Sequence, residues 1–278
     1  MLFGYAMTTN VAEAESGHSH SKPANMLPVS ASSKVSLPQV RSHIALIFDE
    51  QTQQPLFNKN GGTVAPIASI TKLMTAMVVL DANLPMDEVV NVEGDDSSVK
   101  KRSRSRLSSG MTFSRTELLK MALMASENRA ALALARSYPG GTVAAVAAMN
   151  AKARELGMLN TRFCDPTGLS LGNVSTAQDL VRMVAAARNY ALIHQYSTSS
   201  TLSVDGLRGR AMRFSNTNPL VRSTSWDIGV SKTGFISEAG LCLVMEAKIN
   251  QRPVIIVLLN SWGKHTRIGD ANRIRKWM

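Results

Sequence analysis

Three short motifs supply the residue types of a serine nucleophile and its base. They are S-x-x-K at residues 69–72 (the first motif), S-E-N at residues 126–128 (the second motif) and K-T-G at residues 232–234 (the third motif). A serine hydroxyl becomes an effective nucleophile when a neighbouring group takes its proton. Residues three apart share a helix face, so Lys72 is the predicted base for a nucleophilic Ser69.

Lys72 must be neutral to act as a base. Its pKa must fall by roughly 3 from about 10.4, which costs about 4 kcal/mol. Burial and a nearby cation both lower a lysine pKa. Lys232 is the expected second cation, and it also offers a charge-assisted partner to a substrate carboxylate.

The second motif supplies two further polar side chains. We expect the Ser126 hydroxyl to relay a proton to a leaving amine. The Asn128 amide is expected to bind the backbone of the substrate. Both roles require the second motif to lie beside the first.

The third motif is predicted to line the path of an extended substrate. Gly234 has no side chain, so a peptide could lie along this strand as an added strand. Thr233 adds a hydroxyl donor beside it. The backbone N–H groups of Ser69 and Phe235 are the predicted oxyanion hole, with Ser69 at a helix N-terminus.

Each motif alone is weak evidence, because S-x-x-K also begins at residues 19, 97, 98 and 261. Only the copy at Ser69 follows a turn signal, Pro66, and opens a long helix-forming run at residues 73–80. Taken singly, the motifs could be a helix cap, a helix bend and a strand end. Their order and their expected elements favour one shared active site.

The elements that must position these motifs are strands at both ends of the chain and helices between them. Residues 43–49 read as a strand that opens a hairpin, and a capping box at Ser114 and Glu117 begins a helix that bends near Ser126. Further helices are predicted at residues 142–156, 176–188 and 267–277, and strands at 228–232, 241–245 and 254–259. The fold class is therefore α+β, an antiparallel sheet flanked by helices with an inserted helical subdomain.

Two segments divide the chain. Residues 1–40 read as a truncated signal-like segment with a flexible lead-in, and residues 41–278 as the catalytic domain. A secreted, periplasmic protein is expected from the signal-like start. No apolar run is long enough to span a bilayer.

The formal net charge of +11 suggests an anionic partner, and its densest run is at residues 100–106. Aromatic residues make up only 5% of the chain and none lies within that run, so nucleic acid is not the expected partner. A solvated basic loop and weak association with an anionic envelope surface remain the two readings. Cys164 and Cys242 allow a disulfide or two free thiols, and neither they nor the scattered histidines suggest a metal site or a cofactor.

The motif set resembles the signature of penicillin-binding proteins and serine β-lactamases. The resemblance extends to the D-alanyl-D-alanine carboxypeptidase/endopeptidase family of low-molecular-mass penicillin-binding proteins. It rests on residues 66–76, 124–131, 161–169, 214–220 and 232–235, and residues 118–129 and 138–141 are most similar to its endopeptidases of the penicillin-binding protein 7 type. Glu127 replaces the usual Asp of the second motif.

This resemblance implies hydrolysis of D-alanyl bonds in peptidoglycan stem peptides through an acyl-enzyme on Ser69, with β-lactams as covalent inhibitors. It implies a β-lactamase-like or transpeptidase-like fold. Because the chain ends after the expected last helix, without the further domain and anchor of many carboxypeptidases, an endopeptidase is favoured over a carboxypeptidase. A β-lactamase and a non-catalytic envelope-binding protein are the remaining alternatives.

Overall fold

A five-stranded antiparallel sheet joins the two ends of the chain in the computed structural model, which describes Met1 and residues 37–93, 105–206 and 209–278. Leu37–Met278 form one compact unit. The signal-like start, most of the lead-in, the S-x-x-K copies at 19, 97 and 98, and most of the basic run at 100–106 lie outside the described residues.

The strands are β1 Ile44–Asp49, β2 Gln54–Lys59, β3 Ala65–Pro66, β4 Val89–Asn91, β5 Thr112–Ser114, β6 Val174–Ser175, β7 Thr201–Asp205, β8 Ala211–Ser215, β9 Asp227–Ile236, β10 Gly240–Ile249 and β11 Arg252–Ser261. The α-helices are α1 Thr71–Asp81, α2 Arg115–Met124, α3 Asn128–Arg136, α4 Gly141–Glu155, α5 Ala177–Ala187, α6 Ala191–Ser197 and α7 Thr266–Trp277. Two short 3-10 turns occupy Ala68–Ile70 and Pro219–Arg222.

The main sheet has the strand order β2-β1-β11-β10-β9. In β11, Ile256 and Leu258 face the core beneath α7, whereas Ile255 and Val257 face the core of the helical region. This alternation follows from the two-residue period of a strand, and both faces are buried because helices cover both. Because both faces of β11 are buried, its sequence is an almost continuous apolar run.

The helical region is built around α1. Residues Thr71 to Val79 of this helix are all buried, and most of them are apolar, as expected for a helix inside a core. Helices α2, α3, α4 and α5 pack against it. Lys72 of the first motif is thus carried on a helix enclosed by the core.

The predicted fold class is confirmed, and most predicted elements are present. The helix bend is a true break between α2 and α3, and the capping box at Ser114 is complete. One expectation was wrong in detail, because Ser69 does not open a helix. It lies in the 3-10 turn Ala68–Ile70, and α1 begins at Thr71.

Both cysteines are free. Cys242 is buried in β10, whereas Cys164 is exposed. It lies in the loop before β6, where its backbone N–H donates to the Asn173 side chain.

Candidate active site

The 3-10 turn before α1 holds Ser69 at a crowded junction of backbones. Ser69 is buried, and Ala68 has a positive φ of 47°, a conformation that costs about 1–3 kcal/mol outside glycine. A Cβ on Gly168 would lie 1.9 Å from the Ala68 carbonyl oxygen, and one on Gly234 would lie 3.2 Å from the Ser69 nitrogen. Glycine at these two positions therefore lets a loop and strand β9 approach the turn.

The Lys72 amine is buried and contacts three oxygen atoms. Its Nζ lies 2.7 Å from Ser69 Oγ, 2.6 Å from Asn128 Oδ1 and 2.8 Å from the Thr167 carbonyl oxygen. Burial lowers the pKa of Lys72 to about 7, against the opposing charges of Asp165 and Glu127. When Lys72 is neutral, two N–H bonds serve the amide and carbonyl oxygens, and its lone pair can accept the Ser69 proton.

The second motif occupies the break between α2 and α3. Ser126 has a φ of 60°, and its Oγ accepts a hydrogen bond of 2.8 Å from Lys232 Nζ. Asn128 is the first residue of α3, and its side-chain oxygen Oδ1 accepts a hydrogen bond from Lys72. The Glu127 side chain instead hydrogen-bonds to Ser105, and burial raises its pKa.

The third motif lies on β9, at one edge of the main sheet. Lys232 is buried, and its Nζ also donates to the Thr233 carbonyl oxygen at 2.9 Å. The Thr233 hydroxyl is 2.6 Å from that of Thr217, where either can donate. Among the described strands, β9 pairs only with β10. On its other edge the Ser231 N–H donates to Ser197 Oγ, so the positions after Ser231 are the ones left for an added strand.

The structure brings the lysines of the first and third motifs close enough to affect each other. Burial is the main cause that lowers the pKa of Lys232 well below its ordinary value, and the charges of Lys72 and Arg267 add to it. For Lys72 itself, burial is the dominant cause. Repulsion between two cations acts on both, so we read the pair as one in which each lysine disfavours the charge of the other.

The predicted oxyanion donors lie on two adjacent segments. Gly234 is packed against the turn, since a Cβ there would be 2.9 Å from the Ile67 carbonyl oxygen and 3.2 Å from the Ser69 nitrogen. Phe235 follows on β9, opposite Leu241 of β10, and its ring is 60% exposed. All eight residues predicted from the motifs thus lie on the elements that meet around Ser69.

The sequence reasoning missed the loop that supplies the third contact of Lys72. Asp165 holds this loop by accepting from the N–H groups of Thr167, Gly168 and Ser170 at 2.6–2.8 Å. The turn-forming run Asp-Pro-Thr-Gly at residues 165–168 was a usable signal. The contact of Thr167 with Lys72 has no such signal, because the two residues are 95 positions apart in the sequence.

Arg267 is a second residue that the motifs do not reveal. It reaches from α7 and donates from one Nη1 to the carbonyl oxygens of Gly234 and Cys242, at 2.8 and 3.0 Å. It therefore fixes β9 at the third motif and places a further positive charge near Lys232.

The described residues contain no group of three metal-ligating side chains. None of the helices in the described ranges has the length and apolar character of a bilayer span.

Comparison with known proteins places this arrangement among serine peptidases. Residues 31–263 match the model of the peptidase S11 family, described as D-alanyl-D-alanine carboxypeptidase. The chain is 48% identical over 259 residues to a D-alanyl-D-alanine endopeptidase of Pseudomonas aeruginosa, which covers 92% of this chain and 84% of that protein.

Two solved structures show the same fold. The Streptomyces K15 DD-transpeptidase superposes with a TM-score of 0.80 at 28% identity, over 87% of this chain and 98% of the other. Penicillin-binding protein D2 of Listeria monocytogenes in its ampicillin-bound form gives a TM-score of 0.71 at 26% identity, over 86% and 97%.

Proposed function

The chain belongs to the D-alanyl-D-alanine carboxypeptidase family of peptidases, and on that premise we propose that it is a serine D-alanyl-D-alanine endopeptidase that cuts the D-alanyl cross-links of peptidoglycan. The observation that carries the chemistry is the buried Lys72 amine, 2.7 Å from Ser69 Oγ. The choice of an endopeptidase rests on the 48% identity to a protein of that name over most of both chains.

In the proposed acylation step, neutral Lys72 takes the proton of Ser69, and Oγ attacks the carbonyl carbon of the D-alanyl bond. The N–H groups of Ser69 and Phe235 would stabilise the resulting oxyanion. The C–N bond then breaks and leaves an ester on Ser69. The proton that Lys72 took from Ser69 passes to the leaving amine through the hydroxyl of Ser126, which is hydrogen-bonded to Lys232, and Lys72 is neutral again.

In the deacylation step, water attacks the ester carbonyl carbon and gives a proton to neutral Lys72, which returns it to Ser69 Oγ as the C–O bond breaks and the acid leaves. The Ser69 oxygen recovers its proton. Lys72 is the group within hydrogen-bond distance of that oxygen, so we assign both transfers at Ser69 to it. This closes the catalytic cycle without a metal ion or a cofactor.

We further propose that the substrate binds as an extended strand along β9. Beyond Ser231, whose N–H donates to Ser197, the edge of β9 that pairs with no described strand offers backbone groups, Gly234 leaves room beside the turn, and Thr233 offers a hydroxyl. A stem-peptide carboxylate at the same edge would oppose the lowering of the Lys232 pKa and accept a charge-assisted hydrogen bond from its ammonium form. The Asn128 carbonyl oxygen is occupied by Lys72, so any contact of this residue to the substrate backbone would use its NH₂ group.

β-Lactams are the expected covalent inhibitors of this site. The related Listeria protein has been solved in an ampicillin-bound form. A β-lactam presents a strained amide where the substrate presents its D-alanyl bond, so the same attack by Ser69 would leave a stable ester.

The second candidate is a DD-carboxypeptidase that removes terminal D-alanine. The family description itself favours it, since the matched model is described as D-alanyl-D-alanine carboxypeptidase. The catalytic steps would be the same, and only the group that leaves as the amine would differ.

We also propose a periplasmic location, with weak attraction to the anionic envelope. Three exposed arginines, Arg106, Arg210 and Arg213, line a cavity of about 380 Å³ near the β7–β8 hairpin. Together with the net charge of +11, they give the molecule a basic surface. Such attraction is long-ranged at low salt and is screened at physiological ionic strength.

The endopeptidase proposal is tested with two muropeptide substrates resolved by mass. Purified protein is incubated with a cross-linked dimer and, separately, with a monomeric pentapeptide. We expect conversion of the dimer to monomers at a higher kcat/KM than loss of D-alanine from the pentapeptide. The reverse preference would establish the carboxypeptidase, and no conversion of either would refute both.

A further inference from the structure

Two exposed aromatic residues lie at one corner of the main sheet, next to the third motif. Phe235 is 60% exposed and Trp262 is 67% exposed. Every other aromatic residue in the described ranges is buried or half-buried. Single exposed apolar side chains are common on protein surfaces, but large ones that lie together mark binding surfaces.

The register of the sheet brings these two residues to the same corner. Phe235, near the end of β9, is opposite Leu241 of β10, and Leu241 is opposite Ser261, the last residue of β11. Trp262 follows Ser261 directly. With strands about 4.8 Å apart, the two backbones are separated by roughly 10 Å across the sheet. We call Phe235 and Trp262 the aromatic corner.

No internal contact of either ring accounts for its place. The cation–π contacts among the described residues involve other rings. The indole N–H of Trp262 has no hydrogen-bond partner in the described part of the chain, whereas the backbone carbonyl oxygen of Trp262 accepts from the Thr266 hydroxyl at the start of α7. The backbone at Trp262 is thus held in place, while its indole N–H is available to a ligand.

Polar side chains surround the aromatic corner. Ser237 of the β9–β10 turn is exposed, as are Lys264 and His265 of the loop before α7. A sugar ring has an apolar face of C–H groups and a rim of hydroxyl groups. A flat aromatic face with hydrogen-bonding groups beside it matches both parts of such a ring.

The corner also lies where one part of the proposed substrate must lie, an argument that rests on the proposed function. In that proposal a substrate carboxylate lies at Lys232, and the scissile carbonyl oxygen lies at the N–H of Phe235. A peptide placed in this way has its N-terminal part beyond Phe235, toward the β9–β10 turn. The N-terminus of a stem peptide is the end that is joined to the glycan strand.

We propose that the aromatic corner binds sugar rings of the glycan strand that carries the acyl-donating stem peptide. The rings of Phe235 and Trp262 pack on the C–H faces of the N-acetylated sugars, and the indole N–H donates to a sugar oxygen. The polar side chains at 237, 264 and 265 bind the sugar hydroxyl and acetyl groups. A cross-link that still bears its sugars is therefore a better substrate than the bare peptide.

Binding is tested first without catalysis, with glycan strands from which an amidase has removed all stem peptides. The indole N–H signals of the full chain are followed by NMR during a titration, and the signal that is absent in Trp262→Phe identifies Trp262. We expect a saturable shift of this signal, while those of Trp226 and Trp277 stay in place. No shift at Trp262 would overturn the proposal, whatever the peptidase assay shows.

Catalysis is then compared on a matched pair of substrates, a cross-linked muropeptide dimer with its sugars and the same dimer after their removal. We expect a kcat/KM about fivefold higher for the sugar-bearing dimer, in line with one or two aromatic contacts. Equal values would refute the role in substrate binding. Cleavage of neither dimer would refute the proposed peptidase instead, and the titration would still decide on the sugar site.

The variants are made at Trp262, because Phe235 also carries a proposed oxyanion donor. Trp262→Phe keeps a planar ring and should keep most of the preference for the sugar-bearing dimer. Trp262→Leu is apolar but not planar and should lose it. Leu159→Ala trims an exposed apolar side chain in the loop after α4, and this control should keep the full preference.

Covalent labelling by penicillin is the independent measure of folding, and all three variants should label at the rate of the unaltered protein. An unchanged preference in folded Trp262→Leu, or an equal loss in Leu159→Ala, would refute the aromatic corner as the sugar site. Should Trp262→Leu fail to fold, the titration of the unaltered chain still decides the question.

Discussion

Lys72 has to satisfy two opposing demands at the scale of a single residue. Its three oxygen contacts would suit an ammonium ion, but complete burial favours the neutral amine. The balance brings its pKa to about 7, where both forms are populated at neutral pH. A base that operates near its own pKa can take a proton and return it, which is what acylation and deacylation require.

Replacement of this base should stop the chemistry and leave the fold intact. Lys72→Gln keeps a hydrogen-bonding side chain that cannot accept the Ser69 proton. We expect penicillin acylation to slow by roughly 10²–10⁴-fold, the usual contribution of a general base. The measurement is the labelling rate with a fluorescent penicillin, alongside a thermal melt. Lys276→Gln, an exposed lysine of α7, is the control, and a normal rate in Lys72→Gln would contradict the assignment.

The pH dependence of acylation follows from the same residue. Because the pKa of Lys72 is lowered to about 7, the active neutral form is lost as the pH falls below that value. The acylation rate should rise with pH up to about 7 and then level off. Stopped-flow acylation between pH 5 and 8 would reveal this limb, whereas a flat profile would exclude Lys72 as the titrating base.

The same lowered pKa links stability to pH. The unfolded chain, with a lysine pKa of about 10.4, binds more protons than the folded protein between that value and about 7. The contribution of Lys72 therefore destabilises the fold most fully below pH 7 and diminishes as the pH rises through this window. The residue favours catalysis at the expense of stability.

At the scale of elements, the site depends on how closely backbones approach the turn that bears Ser69. Gly168 has a φ of 85°, and a Cβ there would lie 1.9 Å from the Ala68 carbonyl oxygen. The loop at residues 165–168 also supplies the Thr167 oxygen that contacts Lys72. A shift of this loop would thus disturb Ser69 and Lys72 together.

A pair of glycine variants separates this effect from ordinary backbone strain. Gly110 has nearly the same φ, 83°, but a Cβ there meets nothing within 4 Å. We expect Gly110→Ala to lose about 1 kcal/mol of unfolding free energy through backbone strain alone, and Gly168→Ala to lose more because its Cβ also meets the Ala68 backbone. Only Gly168→Ala should also slow penicillin acylation, by tenfold or more. Equal acylation rates in the two variants would show that the close approach at Gly168 does not matter.

The helices and strands that carry the motifs were predictable from sequence because their signals are local. The capping box at Ser114, the break at Ser126 and the apolar run of α1 each depend on neighbouring residues. The 3-10 turn at Ser69 was not predictable, since it is imposed by Gly168 and Gly234 packing against it from distant parts of the chain.

The same distinction applies within the site. The serines and lysines are recognisable by type and spacing, but their partners are not. The contact of Lys72 to Thr167 spans 95 residues, and Arg267 reaches the third motif from the last helix. The β7–β8 hairpin was also missed. Each of its strands has only five residues, and alternate side chains are exposed, so its apolar content is low.

At the scale of the whole molecule, the sheet built from both ends of the chain fixes the third motif, while the inserted helices carry the first two. The site therefore forms only when the two regions pack together. The molecule as a whole carries a net charge of +11, and attraction to an anionic envelope would depend on this charge.

Attraction to the envelope should depend on where the charge lies as well as on how much there is. In a pelleting assay with isolated sacculi, the double variant Arg210→Gln/Arg213→Gln should bind less than the control Arg154→Gln/Arg162→Gln, although each loses two positive charges. The difference should vanish at 1 M salt, where charges are screened within about 3 Å. Equal binding of the two variants at low salt would exclude this arginine surface.

The most direct test of the account is to locate the covalent adduct that penicillin leaves. After acylation and trypsin digestion, residues 60–72 form one peptide whose only serine is Ser69, and residues 121–129 form another whose only serine is Ser126. We predict that the penicilloyl mass is found on the first peptide and is lost in Ser69→Ala. An adduct on the second peptide, or labelling that persists in Ser69→Ala, would contradict the assignment of Ser69 as the nucleophile.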